Sequence, residues 1–106
     1  MDKGHFKALF MLGAEDDEMS VENVDAQLHL PDGTRWSATF MTPREIERIM
    51  NRWRTTGEEG GGAYFQCRDL VVVPSGGVTA MVSAFEAILD SGGPEGYLQL
   101  LGTQSG

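Results

Sequence analysis

The stretch that most constrains this chain is Thr-Pro-Arg-Glu-Ile-Glu-Arg-Ile-Met-Asn-Arg-Trp-Arg at 42–54. It carries the signals of a helix at both ends and along one side. Thr42 offers a hydroxyl that can accept an orphan backbone N–H. Pro43 follows at the first helical position, where a missing N–H costs nothing, and Glu45 completes a capping-box spacing. Gly57 stands just past the end and can take the left-handed conformation that stops a helix. Ile46, Ile49, Met50 and Trp53 fall at i, i+3, i+4 and i+7, a single stripe at 3.6 residues per turn. Burying four such side chains contributes on the order of 6–12 kcal/mol as an upper bound. The cap contributes about 1 kcal/mol. A helix over 43–55 is therefore expected, held by packing more than by propensity.

The other face of that helix carries Arg44, Arg48 and Arg52 at i, i+4 and i+8. Three like charges in a row repel and call for nearby anions. Glu45 to Arg48 and Arg44 to Glu47 offer partial relief. The row reads either as a solvated charged face or as a docking row for a partner's carboxylate or phosphate, which guanidinium groups bind bidentately.

Before the helix, Val24, Ala26, Leu28 and Leu30 alternate with polar residues, as do Trp36, Ala38 and Phe40. Pro31-Asp32-Gly33-Thr34 lies between them. Aspartate before glycine suits a tight turn, so 24–30 and 34–41 are expected to form a hairpin. Residues 6–12 form a short apolar run that reads as a strand or a turn of helix. After the helix, Gly57 to Gly62 reads as an acidic helix stop and linker. No Gly-Lys-Ser/Thr follows it, which excludes a phosphate loop. Ala63–Cys67 and Leu70–Val73 are strand-like, in one bent strand or two. The second run, apolar throughout, reads as a central strand covered on both faces. A second helix is expected over 78–90, with Val78, Met81, Val82, Phe85, Ile88 and Leu89 as its apolar stripe. Ala80, Ser83, Ala84 and Ala87 leave much of the rest small. The tail at 97–101 is apolar enough to require docking, as an edge strand or across a dimer interface.

These elements imply one α+β domain over 1–106. The expected architecture is a two-layer sandwich, an antiparallel sheet with two helices on one face. Its order is β-β-β-α-β(-β)-α, with the tail as a C-terminal edge strand. Many small domains share that order, and it carries no function by itself.

Charge narrows the function classes. The net charge is −8, unevenly spread. Residues 1–34 hold eight acids and two lysines, 35–54 five arginines and two glutamates, and 55–106 six acids and one arginine. The net charges are −6, +3 and −5. Such a surface disfavours nucleic acid, whose binding is driven by neutralising phosphates. It favours basic protein partners. The acidic runs Glu15-Asp16-Asp17-Glu18 and Glu58-Glu59 are the partner-binding candidates, with Arg44, Arg48 and Arg52. No apolar run approaches the length of a membrane span. The one cysteine, Cys67, fits a reducing compartment, so a cytoplasmic protein is expected.

Chemistry-bearing patterns are sparse. Ser75-Gly76-Gly77, between a strand and a helix, is the best small-ligand candidate, because helix N-termini present free N–H groups to anions. No lysine is near it in sequence. His5 and His29 are far apart with no partners at metal-ligand spacing, so no metal is expected. Cys67 reads as a small hydrophobe rather than a nucleophile. No catalytic residues and no cofactor are expected. Three functions are expected as alternatives: a non-catalytic acidic protein-binding module, of the small inhibitor or immunity type, acting on a basic partner; a homodimeric structural or regulatory subunit joined through helix 78–90 and the 97–101 tail; and an anion or nucleotide binder at 74–78.

Overall fold

The computed structural model describes residues 6–103; His5 lies outside them, as does the Glu59 side chain. The elements are β1 (Lys7–Phe10), β2 (Asn23–His29), β3 (Thr34–Met41), α1 (Pro43–Thr56), α2 (Glu59–Gly62), β4 (Leu70–Val72), α3 (Val78–Asp90) and β5 (Gln99–Thr103). The class is α+β, and the five strands form one sheet.

The hairpin forms where the alternation places it. Asp32 accepts from the Thr34 N–H at 2.9 Å and the Thr34 hydroxyl at 2.6 Å, which closes the turn. The register then pairs Leu28 with Trp36, Ala26 with Ala38 and Val24 with Phe40. All six face the same way, and all are buried. β1 joins the free side of β2, antiparallel, with Ala8 opposite Leu28 and Phe10 opposite Ala26. This settles residues 7–10 as a strand.

α3 closes that face. Met81 and Phe85 are fully buried in the cluster built by β2 and β3. The Phe85 ring meets Phe40 edge-on at 5.0 Å between centroids, a favoured aromatic geometry. α1 contributes nothing to this cluster. Its Ile49 is buried, but Ile46, Met50 and Trp53 are only half-buried, so the stripe sheds less water than expected. Trp53 instead stacks on Phe65, at 5.5 Å and 17°. α1 and the following turn thus form a satellite cluster in a molecule measuring 47 × 27 × 26 Å.

Three expectations need correction. The sheet is mixed, not antiparallel throughout: β4 runs parallel to β3, pairing Thr39 with Leu70 and Met41 with Val72. The reason is the α1 crossover, which returns the chain to the same end of the sheet before β4 begins. Secondly, Ala63–Cys67 is not a strand. Its Phe65 is held by Trp53, outside the sheet. Thirdly, Leu70–Val73 is not central. Among the described residues β4 has β3 as its one neighbour, and Val72 is 50% exposed.

The tail docks as an edge strand in its own sheet. β5 pairs antiparallel with the first half of β3, Ser37 to Gln99 and Trp36 to Leu100. β4 and β5 therefore share one side of β3. Asp69 fastens the β4 end. Its carboxylate accepts from Ser37 Oγ at 2.6 Å, Thr39 Oγ1 at 2.8 Å and Cys67 Sγ at 3.4 Å. Burial alone pushes that carboxyl up, but the three side-chain donors and the Asp69 backbone N–H together outweigh it and hold it below its ordinary value.

Two substitutions check this division. Phe85→Ala should cost about 3–5 kcal/mol in urea unfolding, because it opens a cavity in the main core. Asp69→Ala should cost about 1–3 kcal/mol, since it strips a part-buried set of hydroxyl donors of their acceptor. Equal, small losses at both positions would contradict the assignment.

Candidate functional site

The capping motif at α1 extends beyond the helix. Thr42 has extended backbone geometry, and its hydroxyl accepts from the Glu45 N–H at 3.2 Å. At the other end Gly57, at φ 84°, donates its N–H to Trp53 O at 2.7 Å. The hydroxyl of Thr42 also donates to Glu22 Oε1 at 2.7 Å. Glu22 precedes β2, and the hairpin register brings it beside Thr42, whose N–H bonds Glu22 O at 3.1 Å. Arg44 then reaches back to the same carboxylate: Nε to Oε1 at 3.2 Å and Nη2 to Oε2. The Arg44 guanidinium, and after it the Thr42 hydroxyl, hold the Glu22 carboxyl down at about 2. One turn on, Arg48 grips Glu45 through Nε at 2.9 Å and Nη2 at 2.7 Å. Asn23 donates to Glu45 at 3.2 Å. The Arg48 guanidinium keeps the Glu45 carboxyl below its ordinary value.

So the arginine row is unequal. Arg44 and Arg48 hold intramolecular carboxylates, Arg44 using Glu22 in place of the Glu47 expected from spacing. Arg52 has no hydrogen bond or ion pair among the described residues.

The Ser75-Gly76-Gly77 step lies against the backbone of the 18–22 segment. A Cβ on Gly76 would come within 2.5 Å of Ser20 O and 2.7 Å of Val21 O. Gly77 has φ 105°, and its Cβ would lie 2.6 Å from Met19 O. These glycines permit an approach that no other residue allows. Gly77 N–H donates to Val21 O and Val78 N–H to Glu18 O, both at 2.8 Å. The α3 N-terminus, read from sequence as an anion cradle, thus presents two of its amides to carbonyls of this chain.

The acidic run is anchored by those same bonds. Asp16 accepts from Gly13 N–H and Asp17 from Met19 N–H, each at 2.8 Å. Their carboxylates shape the loop. Glu15 and Glu18 make no side-chain bond among the described residues and point their charge to solvent. Met19 is 80% exposed at the crest.

Glu15–Asp17, Arg44 and Ser75–Gly76, far apart in sequence, meet around Glu22. Between Met19–Glu22, Thr42–Arg44 and Pro74–Gly76 lies an open cleft of about 570 Å³. A smaller acidic hollow on the other side of Glu22 runs from Glu15–Asp17 to Glu45. Glu58 is elsewhere, beyond the C-terminus of α1, and accepts from Thr56 Oγ1 at 2.8 Å. Sequence reasoning missed Glu22. A signal was available: counting back along β2 from the Asp-Gly turn sets residue 22 opposite residue 42. It also missed Asp69, whose role depends on the parallel placement of β4.

His29 Nε2 lies 3.0 Å from Gln27 Oε1, and no hydrogen bond joins His29 to Cys67 or Asp69. Among the described residues no group of three or more His, Cys, Asp or Glu is placed to hold a metal ion. Also among them, no helix is long and apolar enough to cross a membrane. Comparison with protein-family models, with curated proteins and with solved structures gave no match.

The Glu22 carboxyl sits at about 2 against an ordinary 4.5, so its contacts favour the folded state fully above about pH 4.5. That contribution disappears as pH falls through about 2. Thermal unfolding across this window should therefore show a steeper acid loss for the native protein than for Glu22→Gln. Parallel curves would contradict it. Gly76→Ala should cost about 1–3 kcal/mol, the usual penalty for forcing atoms into a filled space.

Proposed function

We propose that the protein is a non-catalytic acidic binding module that engages a basic surface on another protein, as a small inhibitor or immunity-type protein does. One observation carries this reading: the acidic loop at 14–20 is exposed along its whole length, yet it is fixed to the start of α3 by a backbone hydrogen bond from Val78 to Glu18 within it and one from Gly77 to Val21 just after it. An anchored loop loses less conformational freedom on binding than a free one, which leaves more of the interaction energy for affinity. Glu15 and Glu18 supply uncommitted charge, and Met19 supplies an apolar contact between them and the cleft. The charge of −8 draws a basic partner in and holds nucleic acid off. We place this activity in the cytoplasm on the single free cysteine.

A second reading, a homodimer, draws on β5 and α3. Tyr97, Leu100 and Leu101 are 52%, 51% and 44% exposed at the sheet edge. The outward positions Thr79, Ser83 and Ala87 of α3 are small. A two-fold axis would pair such a patch with itself.

Immobilised protein should recover a basic protein from native lysate at low salt and release it at high salt. The Glu15→Gln, Glu18→Gln double variant should recover markedly less, without loss of fold, because neither side chain holds the loop. Recovery of no basic protein, or equal recovery by the variant, would contradict the proposal. Light scattering after gel filtration separately decides the dimer: a monomer at micromolar concentration rejects it.

A further inference from the structure

α3 covers one side of the sheet, and the reverse side carries a basic row. Leu28 and Trp36 belong to the core under α3, so the residues next to them, His29 and Arg35, turn to the other side. Ala8 packs on the same core, and Lys7 beside it turns away with them. The register sets Lys7 opposite His29 and His29 opposite Arg35, on three adjacent strands. Neighbouring strands lie about 4.8 Å apart, so the row spans roughly 10 Å at the backbone. Leu30 N–H donates to Thr34 O at 3.0 Å. The pair after it, His29 and Arg35, is therefore a non-hydrogen-bonded one, in which side chains stand closer.

None of the three meets a carboxylate among the described residues. Asp32, the nearest acid in sequence, is tied to the opposite side: it holds the Thr34 hydroxyl, which accepts from the Trp36 indole N–H at 2.9 Å. Asp25 and Asp69 both bond Thr39, four residues along β3 from Arg35 and so roughly 13 Å away. Arg35 is half-buried, and its Nε is shut off from water with no hydrogen-bond partner. Its guanidinium lies beside β5, where a Cβ on Gly102 would stand 3.6 Å from Nη2. The two Nη groups reach solvent and also have no partner among the described residues. Buried donors in native proteins nearly always have partners, and a desolvated cation is costly until an anion joins it.

We propose that the Lys7–His29–Arg35 row binds a phosphoryl group, as a phosphate monoester borne by a small molecule or by a side chain of another protein. A phosphoryl group presents three terminal oxygens, one more than a carboxylate, and so can bridge three cationic side chains. The Arg35 Nη groups take one oxygen from the β3 side. His29 Nε2 lies 3.0 Å from Gln27 Oε1, which leaves Nδ1 to donate in the imidazolium form. Lys7 is exposed, and its ammonium is long enough to reach over His29 to the same anion. The net charge of −8 repels polyanions at long range, so the row suits one phosphoryl group and not a nucleic-acid backbone. It lies at the end of β2 away from Glu22 and does not depend on the acidic loop's partner.

The test is a heteronuclear NMR titration of the labelled full chain with inorganic phosphate, capped phosphoserine and acetate, at matched ionic strength. The Arg35 Nε–Hε signal reads the guanidinium directly. The same signal of Arg52, an exposed arginine with no bond among the described residues, is the internal control. Phosphate should give saturable shifts at Arg35 Nε–Hε and at the His29 amide, with acetate about fivefold weaker for want of one contact. Arg35→Gln should weaken phosphate binding about tenfold and Lys7→Gln about threefold, a charged fork being worth more than one exposed ammonium. Lys7→Gln, on the surface, decides the matter if Arg35→Gln lacks a native spectrum. Phosphoserine binding tighter than phosphate identifies a modified protein as the source; equal or weaker binding identifies a small free phosphate. No saturable shift at Arg35, equal shifts at Arg35 and Arg52, equal binding of acetate, or phosphate binding unmoved by Lys7→Gln would overturn the proposal.

Discussion

The close approach of two backbones at Gly76 and Gly77 is the constraint on which the functional end depends. Carbonyls of Met19, Ser20 and Val21 occupy the space where side chains would stand. Only a chain without Cβ atoms there lets the 18–22 segment lie against the start of α3. Two consequences follow from that one contact. The first amides of α3 find acceptors, so the helix begins without a side-chain cap. The acidic loop gains a fixed base next to Glu22, which the hairpin register sets beside Thr42 and Arg44.

β3 organises the rest. It pairs with three strands: β2 along one side, β4 and β5 in succession along the other. Its alternate residues divide the protein's chemistry. Trp36, Ala38 and Phe40 build the core with α3, where burial of apolar area dominates stability. Ser37 and Thr39, on the reverse face, hold Asp69 and so hold β4. α1 sits apart from that core, with Ile49 buried and Trp53 stacked on Phe65. Surface ion pairs such as Arg44–Glu22 add little energy each. Their importance here is to decide which charges remain free.

Local signals made much of the fold legible. The Asp-Gly turn and strict alternation gave the hairpin, and caps at both ends gave α1. Glycine and proline punctuation gave α3 over the 78–90 expected. What failed was non-local. A run such as Leu-Val-Val-Val reads the same in a central strand and at an edge, and its exposure depends on what lies beside it. The direction of β4 was set by the α1 crossover, which no residue in β4 records. Phe65 was read into a strand because its partner, Trp53, lies on another element. At the candidate site the acidic run, the arginines and the glycine step were each visible. Their meeting around Glu22 was not, because it combines a hairpin register with a helix start and a loop approach.

The functional account rests on the acidic loop being held in shape before any partner arrives. Amide hydrogen exchange at Gly77 and Val78 reads that directly, since their N–H groups make the anchoring bonds to Val21 and Glu18. Protection of both amides at the level of the Phe85 segment of α3 is the predicted result. Exchange at both as fast as in an unstructured peptide would contradict it.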